Sequence, residues 1–288
     1  MNTKAGETGY YTLNCRGRLL SLETPRIMGI LNVTPDSFSD GGKYNSPEAA
    51  LEHTGRMLGE GAHIIDIGGY SSRPGATHIS ETEEIDRIQP VVEGVLKNFP
   101  KTFVSVDTFR SKVAKVMLEA GVHIINDISA GNMDKEMMEV VASYKAPYIM
   151  MHMKGTPQDM QEDPEYEDVV EEVWDFLTEK IQEARSLGIR DLILDPGFGF
   201  GKEILHNYEL LSGFDRFQLY KLPLLAGISR KSMMYKLLGL PPEEVVEVGA
   251  ALHLKLLEKG ANILRVHDVA ATRKLLGIHL YMKENGVI

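Results

Sequence analysis

Short apolar runs of β type alternate with longer runs of helical period along the chain, and the alternation repeats eight times. The apolar runs cover residues 27–31, 63–67, 103–106, 123–126, 148–151, 192–194, 222–227 and 263–266. Alternation predicts a parallel sheet covered by helices, whose strands are apolar on both faces because neither face meets water. Helical candidates include 47–59, 82–98, 109–120, 134–143, 164–187 and 243–258. Ser46-Pro47 supplies a cap and a first-turn proline, while Gly61, Gly121, Gly188 and Gly260 each stand between a helical run and the next strand. That repeated phrase supports one continuous α/β fold, a TIM (β/α)8 barrel.

The 288 residues are expected to form a single domain, since barrels of about 250 residues do so routinely. An open doubly wound sheet uses the same alternation, but eight units favour closure. Residues 10–22 read as two short strands joined around Arg16-Gly17, a β-hairpin closing the bottom of the barrel.

Composition removes several classes of function. One cysteine, Cys15, forbids an internal disulfide or a cysteine-based zinc site and suits a reducing cytoplasm. No stretch reaches the roughly 20 apolar residues of a membrane span, and no targeting segment is expected. A net charge of −10 with dispersed cations argues against nucleic acid as a partner. The acidic run 162–172 reads as a solvated helix face.

Polar residues able to do chemistry follow the strands: Asn32, Asp36, Ser72-Arg73, Asp107, Asn126, His152, Asp195, Ser229-Arg230-Lys231 and Arg265 with His267. In a barrel all strands end on one face, so these scattered residues become neighbours. Arg73, Lys231 and the Arg265/His267 pair together suit a pyrophosphate. Asp107, Asn126 and Asp195 could read the edge of a flat heterocycle, act as acid and base, or hold a metal; Asp107-Thr108 could also cap the helix that follows. His152 reads as a hydrogen-bonded core histidine.

Asp195 through Lys202 has the glycines of a phosphate loop with the wrong spacing, and Glu203 stands where such a loop needs Ser or Thr. The glycines instead predict a tight turn bringing Phe198 and Phe200 over the barrel mouth. The segment 32–42 is too long for a minimal connection and reads as a lid.

The run Met28-Gly-Ile-Leu-Asn-Val-Thr-Pro-Asp-Ser-Phe-Ser-Asp-Gly-Gly42 resembles the first signature of the dihydropteroate synthase family. Gly68-Gly-Tyr-Ser-Ser-Arg-Pro-Gly75, Ser105-Val-Asp-Thr108, Asn126-Asp-Ile128, Asp195 to Lys202, Ser229-Arg-Lys231 and Arg265-Val-His267 follow in family order. The resemblance implies a transferase of folate biosynthesis, a sulfonamide target, joining hydroxymethyl-dihydropterin pyrophosphate to p-aminobenzoate. It implies that Asp107, Asn126, Asp195 and Lys231 hold the pterin. Asn32, Ser72, Arg73, Arg265 and His267 would hold pyrophosphate, Asn32 through Mg2+, and Phe38, Pro74, Phe200 and Ser229 would shape the p-aminobenzoate pocket. Lys231, Asp107, Arg265 and His267 become the expected catalytic set. A homodimer is implied as well, with residues 245–257 as a candidate face. Tyr70 and Ser72 depart from the Glu and Thr usual in the family. Two alternatives keep the pterin site but change its use: a non-catalytic pterin-binding paralogue, and a methyltransferase to a corrinoid partner.

Overall fold

The computed structural model describes residues 11–34, 46–71, 78–160, 162 and 164–287. Strands β1 (Thr12–Cys15) and β2 (Arg18–Ser21) form an antiparallel hairpin. Its turn places Arg16 and Gly17 at positive φ, the conformation that matches a two-residue hairpin to the twist of its strands. Then come β3 (Arg26–Asn32), α1 (Pro47–Glu60), β4 (Ile64–Gly68), α2 (Glu81–Asn98), β5 (Phe103–Asp107), α3 (Ser111–Ala120), β6 (Ile124–Asp127) and α4 (Met137–Tyr144). The second half runs β7 (Tyr148–Met151), α5 (Val169–Ser186), β8 (Leu192–Asp195), α6 (Ile204–Ser212), β9 (Leu225–Ala226), α7 (Ser232–Leu238), α8 (Val246–Glu258), β10 (Ile263–Val266) and α9 (Val269–Glu284). Short 3-10 turns lie at Phe214–Tyr220 and Pro242–Glu244.

The eight strands from β3 to β10 pair in parallel in the order β8-β7-β6-β5-β4-β3-β10-β9. A single bridge between Leu194 and Leu224 joins the two ends of this sheet into a nearly closed barrel. The expected strand at 222–227 therefore shrinks to two residues. Pro223 has no N–H to give, although its carbonyl accepts from Leu194 N at 2.9 Å, and Leu224 N is taken by the Asn262 side chain at 2.9 Å.

Strand periodicity sorts the residues into two shells. Outward side chains such as Ile65, Ile67, Val104, Val106, Leu192 and Leu264 join one large core with the helices. Inward side chains Met28, Ile64, Ile124, Ile149, Ile193, Leu225 and Ile263 form a separate cluster with Leu13, Cys15, Leu20 and Leu22 of the hairpin. The hairpin thus packs on the amino ends of the strands. Arg18 ties it there by donating to the Pro100 and Thr102 carbonyls at 3.1 and 3.2 Å.

The repeated glycine phrase has a common geometry: Gly61, Gly121, Gly188 and Gly260 all sit at φ between 85° and 108°. In each case the next residue donates back across the turn, Ala62 to Met57, Val122 to Met117, Ile189 to Ala184 and Ala261 to Leu256. These are left-handed caps that satisfy carbonyls at the helix end. The acidic run is not one helix face as expected, because α5 starts only at Val169 with Asp168 as its cap. Within that helix Glu171 and Glu172 pair with Arg216 and Lys154. Among the described residues no helix is long and apolar enough to cross a membrane.

Candidate active site

Two residues beyond the apolar bottom layer, the same inward face of the strands turns polar. Ile64 is followed by Asp66, Ile124 by Asn126, Ile193 by Asp195, Leu225 by Gly227 and Ile263 by Arg265. A parallel strand rises about 3.3 Å per residue, so this second layer stands about 7 Å closer to the mouth. The expectation that every strand is apolar on both faces is therefore corrected for β4, β6, β8 and β10; on β3 and β7 the inner face stays apolar, Met28 being followed by Ile30 and Ile149 by Met151.

Arg265 organises the layer. Its Nε donates to Asp66 Oδ2 at 2.6 Å and its Nη2 to Asp107 Oδ2 at 2.6 Å. Asn126 Nδ2 donates to the same Asp66 oxygen at 3.0 Å. One guanidinium and one amide thus join β4, β5, β6 and β10. Asp66 is fully buried and was missed by sequence reasoning, although a carboxylate inside an apolar strand was the available signal. Arg265 is not the free cation expected for pyrophosphate; these two bonds use two of its five N–H groups.

The electrostatics follow from burial. Burial pushes Asp107 up to about 7, with Asp66 adding to the effect and Arg265 opposing it. Lys231 moves down to about 7, again mainly through burial, with Arg265 adding and Asp195 opposing. Asp195 is raised by burial, against the Gly197 N–H that it accepts at 2.8 Å. Burial disfavours the charge of Arg265 too, yet Asp66 and Asp107 outweigh it and raise its pKa. The site therefore holds an acid and an amine poised near neutrality beside a fixed cation.

Glycines make room between these groups. A Cβ at Gly227 would stand 3.8 Å from Arg265 Cβ and 4.0 Å from Asp195 Oδ2. One at Gly68 would stand 3.4 Å from Asp107 Cβ and 3.8 Å from Asn32 Oδ1, which places Asn32 beside Asp107. The floor is flat where a side chain would fill it.

Lys231 precedes α7, donates to the Phe198 carbonyl and lies 4.1 Å from the centre of the Phe200 ring. His267 N and Nδ1 lie 3.1 and 3.2 Å from Ser229 Oγ. Arg230 turns to Asp268, paired at 2.5 Å, so it fixes the loop and leaves Lys231 to the site. Phe198 is corrected: it is buried in the main core, stacked on Phe214, and only Phe200 reaches the mouth. Of Asp107-Thr108, Thr108 Oγ1 accepts from the N–H of Arg110, which stands just before α3, at 3.2 Å, while the first N–H of α3 goes to Asp134 Oδ2 at 2.7 Å. His152 is a core histidine, packed edge-on to Phe176 with ring centres 4.9 Å apart. Tyr70 sits edge-on to Phe109 and accepts from Gln158 Nε2 at 2.7 Å, so its departure from the family residue serves packing at the mouth. Asp36, Phe38, Ser72, Arg73 and Pro74 lie outside the described residues, as does most of the 32–42 segment.

Among the described residues no group of three or more His, Cys, Asp or Glu is arranged to hold a metal ion. The Asn32 amide oxygen suits a different role, one ligand of a cation that takes the rest from substrate phosphates and water, as magnesium commonly does.

A family model described as pterin binding enzyme matches residues 28–267. The dihydropteroate synthase of Escherichia coli K12 is 44% identical over 95% of this chain and 98% of its own. The solved dihydropteroate synthase of Yersinia pestis, in complex with a sulfonamide drug, is 44% identical with a TM-score of 0.91, covering 95% of this chain and 100% of that one. That of Xanthomonas albilineans with 4-aminobenzoic acid is 43% identical with a TM-score of 0.89, covering 96% and 99%. Similarity of this extent, carried by a barrel whose inner face turns polar toward the carboxyl ends of its strands, places the chain in the pterin-binding enzyme family, among the dihydropteroate synthases.

Proposed function

We propose that the chain condenses hydroxymethyl-dihydropterin pyrophosphate with p-aminobenzoate to give dihydropteroate and pyrophosphate in folate biosynthesis. The observation that carries this is the polar layer itself. Asp107, Asn126 and Asp195 converge with Lys231 and Arg265 beside Gly68 and Gly227, which put no side chain between them.

In this reading Asp107, Asn126, Asp195 and Lys231 hold the pterin, the carboxylates accepting from its amino and ring N–H groups. Carboxylates there favour an electron-rich ring, which helps it bear positive charge at its methylene carbon. Arg265, still clasped by Asp66 and Asp107, turns its remaining N–H groups with His267, Asn32, Ser72 and Arg73 toward the pyrophosphate. The methylene C–O bond breaks and its electron pair leaves with pyrophosphate. The aniline nitrogen then forms the C–N bond with its lone pair and releases a proton. Phe38, Pro74, Phe200 and Ser229 hold the p-aminobenzoate ring and exclude water from the carbocation. When bound, Mg2+ held in part by Asn32 supplies charge to offset that of the departing pyrophosphate.

The chain acts as one domain, because the hairpin shares its apolar cluster with residues of all eight barrel strands, Phe103 of β5 packing against it. A homodimer through the late helices is supported by exposed Leu237 and Leu238 at the end of α7, Leu240 just after it, and Ile278 and Tyr281 on α9, which stand before and after α8 in the chain. The one cysteine, Cys15, is buried and unpaired, as suits a reducing cytoplasm. Sulfonamides would compete at the p-aminobenzoate pocket.

Incubation of the pure protein with both substrates and magnesium tests the reading. Pyrophosphate and dihydropteroate should appear in equal amounts. Intact pterin binding with no turnover would favour the non-catalytic paralogue, and methyl transfer to a corrinoid without pyrophosphate release would favour the methyltransferase.

A further inference from the structure

The loop from Asp195 to Lys202 leads from β8 to α6 with Gly197, Gly199 and Gly201 at φ of 76°, 79° and 59°. A Cβ on Gly197 would stand 1.9 Å from the His152 carbonyl oxygen, and one on Gly201 would stand 2.2 Å from that of Lys154. Glycine is thus required sterically as well as conformationally. The alternating backbone sends successive carbonyls in different directions. Those of Gly197 and Phe200 accept from Lys202 Nζ at 2.9 and 3.1 Å, that of Phe198 accepts from Lys231, and that of Gly201 accepts from Tyr166 Oη at 2.7 Å. A phosphate loop turns its N–H groups to an anion. This loop has the opposite polarity and turns carbonyls to two lysine side chains.

One of the two, Lys231, belongs to the site. The other, Lys202, has no part in the reaction described above and is only 2% exposed. Its third polar contact is His152 Nδ1 at 2.9 Å, so three partners surround the amine. Burial lowers its pKa well below the ordinary lysine range, with Lys231 and Lys154 adding to the effect and Asp195 opposing it. A lysine amine buried among neutral polar groups is costly for the fold, and apolar packing would serve stability alone better.

We propose that Lys202 is a positioning residue for the pterin subsite. Clamped by His152 and two loop carbonyls, its amine holds residues 195–202 in the shape that aims the Phe198 carbonyl and the Phe200 ring at Lys231. His152 completes the clamp, because its backbone N–H also donates to the Asp195 carbonyl at 3.0 Å. The inference rests on the function proposed above and adds a residue behind the site to those within it.

The test compares the full-length wild type with Lys202→Met, Lys202→Arg, His152→Leu and Tyr166→Phe. Pterin affinity is measured by calorimetry, turnover as a function of pH, and folding by circular dichroism. Lys202→Met should weaken pterin binding roughly 10- to 100-fold through misplacement of the loop. It should also move the ionisation of Lys231 upward, toward the ordinary lysine range, as the amine gains water. Lys202→Arg, keeping N–H donors at this position, should recover part of both losses. Folded Lys202→Met protein with unchanged pterin affinity and unchanged pH profile would overturn the proposal, since a purely structural lysine would lower only melting temperature. Should Lys202→Met fail to fold, His152→Leu decides: a smaller shift in the same direction supports the clamp, and none overturns it. Tyr166→Phe removes a bond to the same loop that reaches no ammonium and should leave the pH profile in place; an equal shift there would overturn the role given to Lys202. A wild type that releases no pyrophosphate would sink the enzyme reading, while its pterin affinity would still decide Lys202.

Discussion

Two layers inside one barrel, two residues apart along the same strands, have opposite characters. The bottom layer of Met28, Ile64, Ile124, Ile149, Ile193, Leu225 and Ile263 is dry and plugged by the hairpin. The layer above carries Asp66, Asn126, Asp195 and Arg265, with Asp107 at its rim. Hydrophobic burial at the bottom stabilises the fold, and the polar layer draws on that stability to keep ionisable groups out of water. Stability and activity should therefore separate by layer, and each substitution below either widens or closes that separation.

The largest effect is expected at Arg265. Arg265→Ala strands Asp66 and Asp107 without their cation and should cost about 3–5 kcal/mol of stability, in addition to activity. It should weaken the pyrophosphate-bearing pterin far more than the pterin alcohol in a binding assay; equal losses would remove Arg265 from the pyrophosphate site. Next comes the bottom layer. Ile193→Ala should destabilise by about 2–4 kcal/mol in urea unfolding, with turnover per folded molecule unchanged. A lowered turnover number would show that the layers are mechanically coupled.

A smaller effect concerns pH. Asp107 is raised to about 7 in the fold, so its contribution to stability declines as pH rises from about 4 to 7. Lys231 is lowered to about 7, so its contribution increases between about 7 and 10. The ligand-free protein should accordingly show a stability minimum near neutrality. Lys231→Met should flatten its alkaline side and Asp107→Asn its acid side in urea midpoints. A minimum that survives both substitutions would place its origin elsewhere.

The smallest effect lies at the foot of the barrel. Lys145 ends α4 at φ 51°, and Ala146 N donates back to the Val141 carbonyl, the same cap that glycine makes after four other helices. Lys145→Gly should stabilise by about 0.5–1 kcal/mol, read as a raised melting temperature, because a side chain is strained in that conformation.

Lys145 also shows where sequence reasoning stopped. Gly61, Gly121, Gly188 and Gly260 marked their caps because only glycine adopts this backbone freely, whereas a lysine doing the same leaves no trace. Buried strands were legible from their apolar runs, but those runs concealed Asp66, whose partner Arg265 lies 199 positions away. Position after a strand brought Asp107, Asn126, Asp195, Lys231 and Arg265 together correctly. Which of them neutralise one another depends on side-chain reach across the barrel, and no local spacing encodes that. Phe198 and Phe200 have the same residue type two positions apart; the loop's carbonyl pattern alone sends one inward and the other to the mouth.

The barrel behaves as a split hoop. Its two ends meet at the single Leu194–Leu224 bridge, and Asp195 stands on one lip while Gly227 and Lys231 follow the other. A ligand gripped by Asp195 and Lys231 together spans the split as a stitch. Binding and hoop closure are then linked equilibria: whatever tightens the seam strengthens ligand affinity, and the bound ligand holds the seam shut in return.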